Sequence, residues 1–382
     1  AMFLLTKEQQ KLRAELREFV DHEVCPVATE LDNRGGFPHD LYARIGKMGY
    51  LDAEFEYIGS GAKYGSLEGS IIIEELSRGL ASLGLIVSPH YQCTELIACC
   101  GTETLKKKVI EPARRGEQLF AFAISEERGG SDALGVDTIA VKDGSRWILT
   151  GKKCWVTNAG VADGYVVTAK SPSAERSRSM SMFFIPKDAP GLTVVENRSM
   201  IGLNNSPMGH IILDECSIPD YCLVGEENVG YPLIKPLLNE GRLDMAAVAV
   251  GISQAALDDS VSFAGRVGLY GRSLASYQGV SFPIADMYTK TLMARNSLYA
   301  VASMMADGMP HTRDVAALKL FATESAFATC KAACQIHGAH GLSAQSGVDR
   351  LFRDAHMLTV AEGTSEICRI VISGGLTNPD KI

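Results

Sequence analysis

The chain has 382 residues, with 37 basic and 45 acidic side chains, giving a formal net charge of -8. Hydrophobic residues make up 46% and charged residues 21%, enough apolar surface to offset ordering entropy, so a disordered chain is excluded. No basic excess is present to neutralise phosphates, which argues against a nucleic-acid binder.

Ten cysteines in this length are too sparse for a disulfide scaffold. Cys99 and Cys100 are adjacent, Cys330 and Cys334 are one helical turn apart, and there is no CxxC pair. Free thiols in a reducing compartment are expected, with no metal site. The first residues show no apolar signal region, and apolar runs such as 83–87 and 245–250 are far below the roughly 20 residues that span a bilayer. These features predict a cytoplasmic protein with no membrane partner.

The pattern then reads helices, strands, helices. Thr6 and Gln9 form a capping box ahead of Leu12, Leu16, Phe19, Val20 and Val24 at helical spacing. Further helices are predicted over 41–48, 67–79, 85–100 and 103–110, the last with Lys106, Lys107 and Lys108 in its final turn. Gly59-Ser60-Gly61 and Gly65 resemble a dinucleotide loop only superficially. No strand precedes them and the third glycine is replaced by Tyr64, so a surface turn is expected. From about Gln118, short stretches rich in β-formers at 147–149, 164–169, 182–186, 192–195 and 210–213 predict a small barrel or sandwich. From Pro232 alanine-rich helical stripes return over 233–266, 274–308, 313–338 and 366–375, as in a packed bundle. Segregated strands and helices predict an α+β chain and argue against a doubly wound sheet.

Three short motifs could carry chemistry. Gly129-Gly130-Ser131-Asp132 is dense in backbone N–H groups that could cradle an anion. Trp155-Val156-Thr157-Asn158 sets an aromatic ring and a hydroxyl on one strand face, and Ala361-Glu362-Gly363-Thr364 sets a carboxylate before a helix. Taken singly, each has a plain structural reading as a tight turn, a core tryptophan or a charge favouring the helix dipole.

Their order and flanking residues together resemble the acyl-CoA dehydrogenase family of flavoproteins. The matching segments are Phe122-Ala123-Ile124-Ser125-Glu126 with Gly130-Ser131-Asp132, then Gly151-Lys152-Lys153 leading into Trp155-Val156-Thr157-Asn158. Downstream lie Tyr270-Gly271-Arg272 with Gln278, Gln335-Ile336-His337-Gly338 with Gly341, Arg353-Asp354-Ala355, and Glu362-Gly363-Thr364, with Phe37-Pro38 and Gly49 near the start. The resemblance covers essentially the whole chain. It implies an N-terminal helical domain over 1–117, a middle β-barrel domain over 118–229 and a C-terminal four-helix bundle over 230–382.

The resemblance also implies a function. Glu362 would be the base that removes the α-proton of an acyl thioester, while the β-hydrogen leaves as hydride to flavin N5 of FAD. Ser125, Ser131, Trp155 and Thr157 match cofactor contacts, as do Gly338 and Thr364. Gln278 and Gln335 match residues that reach FAD across a subunit interface, which implies a homo-oligomer, either dimer or tetramer. Arg242, Ala361 and Gly363 match substrate-side positions. At the position before Arg242, where some family members carry the base, this chain has Gly241; Glu240 is next to it and needs a control. Electrons would pass to an electron-transferring flavoprotein or to oxygen.

Four departures from the family pattern involve five positions. Glu127 and Arg128 replace a proline and a small residue, Val267 replaces a phosphate-binding arginine, Ala339 replaces a glycine, and Ala361 replaces the aromatic before the base. Such drift keeps open a relative that oxidises a hydroxyacyl or aminoacyl unit tethered to an acyl carrier protein in polyketide or peptide assembly. Two other classes also stay open: a flavin-dependent monooxygenase, against which Glu362 speaks, and a non-catalytic scaffold.

Overall fold

Thr6 and Gln9 cap the first helix reciprocally: the Gln9 N–H donates to Thr6 Oγ1 at 3.2 Å and the Thr6 N–H to Gln9 Oε1 at 2.9 Å. This is the expected capping box. The computed structural model of the chain describes residues 4–54, 60–133, 135–172, 180–197, 200–309 and 311–377. From the cap, α1 (Lys7–Phe19) runs through a π-turn at Val20–Val24 into α2 (Cys25–Arg34). The sequence reading did not include α2, which carries Pro26 in its first turn. In the first turn of a helix, however, a missing N–H costs nothing.

Four more helices follow: α3 (His39–Lys47), α4 (Ser66–Gly79), α5 (Ala81–Cys100) and α6 (Glu103–Arg114). Of the glycine-rich turn before α4, Ser60 donates to Glu54 at 2.6 Å, a local loop closure, while Gly59 lies outside the described residues. A Cβ on Gly79 would come within 2.8 Å of both Val20 and Val24, so glycine lets α4 meet the π-turn. One expectation is corrected. Helix α6 continues through Pro112, so Lys106, Lys107 and Lys108 sit in its middle and Arg114 occupies its last turn.

The middle region is one eight-stranded sheet. Its strands are β1 (Phe120–Ala123), β2 (Ile139–Asp143), β3 (Arg146–Thr157), β4 (Gly164–Lys170), β5 (Met180–Pro186), β6 (Leu192–Asn197), β7 (Met208–Pro219) and β8 (Leu223–Val224). The path is β6-β7-β3-β2-β4-β5-β8, with β1 parallel on β4. The two halves meet at a single parallel pair, Ile139 with Lys170, and curl around a shared core of Trp147, Leu149, Tyr165, Phe183 and Ile211. The other face of β4 and β5 packs Val166 and Phe184 against α5 and α6, so β4 is buried on both faces.

The last third is helical: α7 (Gly230–Arg266), the small hairpin β9 (Gly268–Leu269) and β10 (Arg272–Ser273), then α8 (Gln278–Ala306), α9 (Thr312–His337), α10 (Val348–Leu358) and α11 (Ser365–Thr377). Helix α7 is the spine, packing against α8 and α9 on one side and α4 and α5 on the other. Asp354 on α10 fastens three regions together. It accepts from the Leu203 N–H at 2.6 Å, and its neighbour Arg353 donates to Asp32 on α2 at 2.5 Å. Among the described residues no helix is long and apolar enough to cross a membrane.

Candidate active site

Glu362 sits on the turn between α10 and α11 with φ +52°, a left-handed conformation that L residues other than glycine rarely adopt, followed by Gly363 at +91°. Such strain costs of order 1–3 kcal/mol and persists only where surroundings enforce it. Here Lys319 on α9 donates to the Gly363 carbonyl at 2.7 Å, and the Ser365 N–H donates to Thr359 O at 3.0 Å. The turn also spends the Val360 and Ala361 amides on Met357 O, and among the described residues the Glu362 amide is not used in this way.

The Glu362 side chain points at α7. A Cβ built on Gly241 would lie 2.4 Å from Glu362 Oε2 and 2.7 Å from Gln92 Nε2 on α5. A carboxylate arriving from position 241 and one arriving from position 362 would therefore compete for the same space. Burial raises the Glu362 carboxyl above the ordinary glutamate range, and the Arg242 and Lys319 cations pull it partly back. Burial in turn lowers both cations, Lys319 to about 8. Arg242 donates to Asn239 at 3.0 Å, and its Nε has no hydrogen-bond partner among the described residues. Glu240, the residue before Gly241 on α7, is fully buried.

The other predicted residues form a second cluster, at the end of β1 and along β3. Glu126 is buried and accepts from the Asp137 and Thr138 amides, the Thr138 hydroxyl and Lys153 Nζ at 2.6 to 3.0 Å. Burial alone would raise its carboxyl, and Lys153 and Thr138 outweigh that, leaving it below the usual range. Lys153, lowered by burial to about 8, also reaches Ile124 O and Thr168. This lattice fixes Ser125, whose carbonyl accepts from the Cys154 N–H at 2.8 Å. A Cβ on Gly130 would lie 2.7 Å from Ser125 Oγ, so the loop reaching the exposed Ser131 folds closely over it.

Further along β3, a bulge between Lys153 and Val156 places Trp155 at φ +57° with 55% of its surface exposed, while Val156 beneath is buried. The indole meets His210 edge-on, at 5.3 Å between ring centroids. An exposed tryptophan on a strained strand position, beside the half-buried Thr157 and Ser125, offers a flat ring and hydroxyls to a planar cofactor. These residues fit a flavin. The departures Glu127 and Arg128 lie on the surface, paired with Lys152 at 2.5 Å and Asp137 at 2.8 Å.

Gln278, Gln335 and Gly338 are not brought to Glu362. Gln278 opens α8 and Gln335 closes α9, both exposed, and Gly338 with φ +57° terminates α9. That end of α9 lies beside the end of α7, where Phe263 packs on His337 at 4.3 Å. From Gly241 to the end of α7 at Arg266 the helix rises about 37 Å, so within one subunit these glutamines and Glu362 mark different places. Ala361, Gly363 and Thr364 stay with Glu362, and Thr364 Oγ1 accepts from the Ile367 N–H at 3.3 Å.

Family models for the acyl-CoA dehydrogenase N-terminal, middle and C-terminal domains match residues 6–117, 121–216 and 228–377. The chain belongs to the acyl-CoA dehydrogenase family. It is 34% identical to a probable acyl-CoA dehydrogenase of Bacillus subtilis over 97% of this chain and 98% of the relative. The solved butyryl-CoA dehydrogenase of Megasphaera elsdenii superposes with a TM-score of 0.92 at 32% identity, covering 98% of this chain and all of that one. The prolyl acyl carrier protein oxidase AnaB has the same fold, with a TM-score of 0.91 at 26% identity over 98% and 100% of the two chains. As a member of this family the protein is an FAD-dependent oxidoreductase.

Lys319, Gln92 and Asp244 escaped the sequence reading. Lys319 left a readable signal, because it falls on the buried stripe of α9 with Val315, Ala322 and Ala326, where a lysine needs a partner.

Proposed function

We propose that the enzyme desaturates an acyl thioester between its α and β carbons, with Glu362 as the base. The observation that carries this reading is the Glu362 carboxylate, set against Gly241 on a strained turn between two cations. Desolvation strengthens the carboxylate as a base toward a weakly acidic α-proton, and Arg242 and Lys319 oppose that rise. The uncommitted Glu362 amide is suited to donate to the thioester carbonyl, where charge develops as the proton leaves. FAD, when bound, takes the β-hydrogen as hydride. Ser125, Ser131, Trp155, Thr157 and Thr364 would hold it from one subunit.

The exposed ends of α8 and α9 support a homo-oligomer in which Gln278, Gln335 and Gly338 reach a neighbour's cofactor. Arg266 and Arg272, at the same end, would supply the cation that Val267 lacks. Exposed Phe282 and Met293, which share a face of α8, give that assembly apolar surface to bury. An electron-transferring flavoprotein would re-oxidise the enzyme in the cytoplasm.

The test is anaerobic bleaching of the flavin by a panel of acyl thioesters on CoA and on carrier protein. Glu362→Gln is expected to retain FAD and slow bleaching by about 10²–10⁴-fold. Bleaching at the wild-type rate would remove Glu362 from the role. Activity on the carrier-bound thioesters alone would assign the carrier as the handle.

A further inference from the structure

Gly241 stands in the interior of α7, where alanine would ordinarily be the better residue. Its missing side chain leaves room for two polar groups that arrive from other elements. A Cβ there would lie 2.4 Å from Glu362 Oε2, which comes from the turn before α11, and 2.7 Å from Gln92 Nε2, which comes from α5. The two polar atoms are therefore at most about 5.1 Å apart.

Gln92 is held in one orientation. Its Nε2 donates to the Leu237 carbonyl of α7 at 2.9 Å, and turning the amide over would set oxygen against oxygen. The side chain is fully buried, and its Oε1 has no hydrogen-bond partner among the described residues. Arg242, the residue after Gly241, is buried as well, and its charge acts on Glu362. Arg242 Nη1 donates to Asn239 Oδ1 at 3.0 Å, and Asn239 Nδ2 donates in turn to Thr312 Oγ1 at 3.1 Å. Arg242 Nε has no partner among the described residues. Close to Glu362 there is thus one buried acceptor and one buried donor, each without its complement.

A carboxylate answers only one of them. It accepts and cannot donate, so it serves Arg242 Nε and not Gln92 Oε1. A carboxylic acid answers both, accepting at its carbonyl oxygen and donating from its hydroxyl. The group that becomes an acid during the reaction is Glu362 itself. Its terminal torsion is soft, so the carboxyl plane can turn toward Gln92 without a change of the other rotamers.

We propose that Gln92 is a positioning residue for the base: it accepts a hydrogen bond from the Glu362 hydroxyl once Glu362 has taken the α-proton, while Arg242 Nε donates to the other Glu362 oxygen. The proposal rests on the reading of Glu362 as the base. The proton moves from the α-carbon to Glu362, the C–H electron pair stays with the substrate, and Gln92 gains no proton. An acceptor that engages only the protonated base favours the far side of the transfer, which raises kcat without tightening the substrate.

The test follows the Glu362 carboxyl by infrared difference spectroscopy of FAD-loaded protein between acidic and neutral pH. The carboxylic C=O band lost in Glu362→Gln belongs to Glu362. In the wild type it should lie at the lowered frequency of an acid whose hydroxyl is hydrogen-bonded. Gln92→Leu and Gln92→Met should each move it up toward the frequency of a free acid. Gly241→Ala, which wedges a methyl group between the two side chains, should do the same. In flavin bleaching by a thioester that the wild type accepts, Gln92→Leu should lower the limiting rate roughly tenfold and leave the half-saturating concentration unchanged.

A wild-type band already at the free-acid frequency would overturn the proposal, whatever the variants do. A band that Gln92→Leu and Gln92→Met both leave in place would overturn it too. Glu362→Gln that bleaches at the wild-type rate removes the reading of Glu362 as base instead, so the two failures are told apart.

Discussion

Two sets of buried acids lie on neighbouring helices, and they are treated oppositely. On α4, Glu74 and Glu75 are fully surrounded: Glu75 accepts from Arg13, Arg17 and Arg78 at 2.9 to 3.1 Å, and Glu74 from Arg295 at 2.8 Å and Tyr299 at 2.7 Å. Burial would raise Glu75, but its guanidinium partners more than compensate and hold it below the usual range. On the α5–α7 seam, burial raises Asp244 far above the aspartate range; only Ser88 opposes it, while Glu362 and Glu95 add to it. Burial is the same in both places, and the supply of donors differs. The first cluster fastens α1, α4 and α8 together. The second stands beside the candidate base, where the fully buried Gln92 Oε1 has no hydrogen-bond partner among the described residues.

The comparison breaks first at Glu75. Glu75→Ala leaves three guanidiniums without their shared anion and should cost about 3–5 kcal/mol in urea unfolding. A loss under about 1 kcal/mol would show that the α4 network is not the fastening described.

Lys319 sharpens the electrostatics of the site itself. Its charge lowers Glu362, so Lys319→Met should push the glutamate further up and move the acidic limb of the kcat/KM profile to higher pH. Lys319→Arg should restore the limb. An unmoved limb in the methionine variant would separate Lys319 from the base.

The smallest effect belongs to Asp244. Its folded carboxyl titrates above its unfolded value, so the ionised side chain subtracts stability as pH rises from the ordinary aspartate range upward. Asp244→Asn removes that loss, and its stability gain over the wild type should grow between pH 4 and pH 8. A gain independent of pH would contradict the raised carboxyl.

Much of the fold was legible because hydrophobic spacing and caps are local. The Thr6–Gln9 box, the long helices and five of the strands follow from such patterns. The elements that were not read are α2 and α10 among the helices and β1, β2, β8, β9 and β10 among the strands, the strands being two to five residues long and too short to show a period. Glu362, Ser125, Trp155 and Thr157 were singled out through motif order. Gln92 and Asp244 were not, because each is an ordinary polar residue in its own helix. They become unusual only when α5 and α7 are laid side by side.

By itself, the sequence determined the order of helices, strands and helices, the family and its FAD cofactor, and it singled out Glu362 as the candidate base. Only the tertiary structure decided what each charge faces: Glu127 and Arg128 reach harmless surface partners, Glu75 meets three arginines, and Asp244 meets a second carboxylate. The reason is physical. Periodicity reports which side of an element is buried, whereas hydrogen-bond supply and desolvation depend on neighbours brought in by the fold, from 9 residues away for Arg128 and Asp137 to more than a hundred for Asp244 and Glu362.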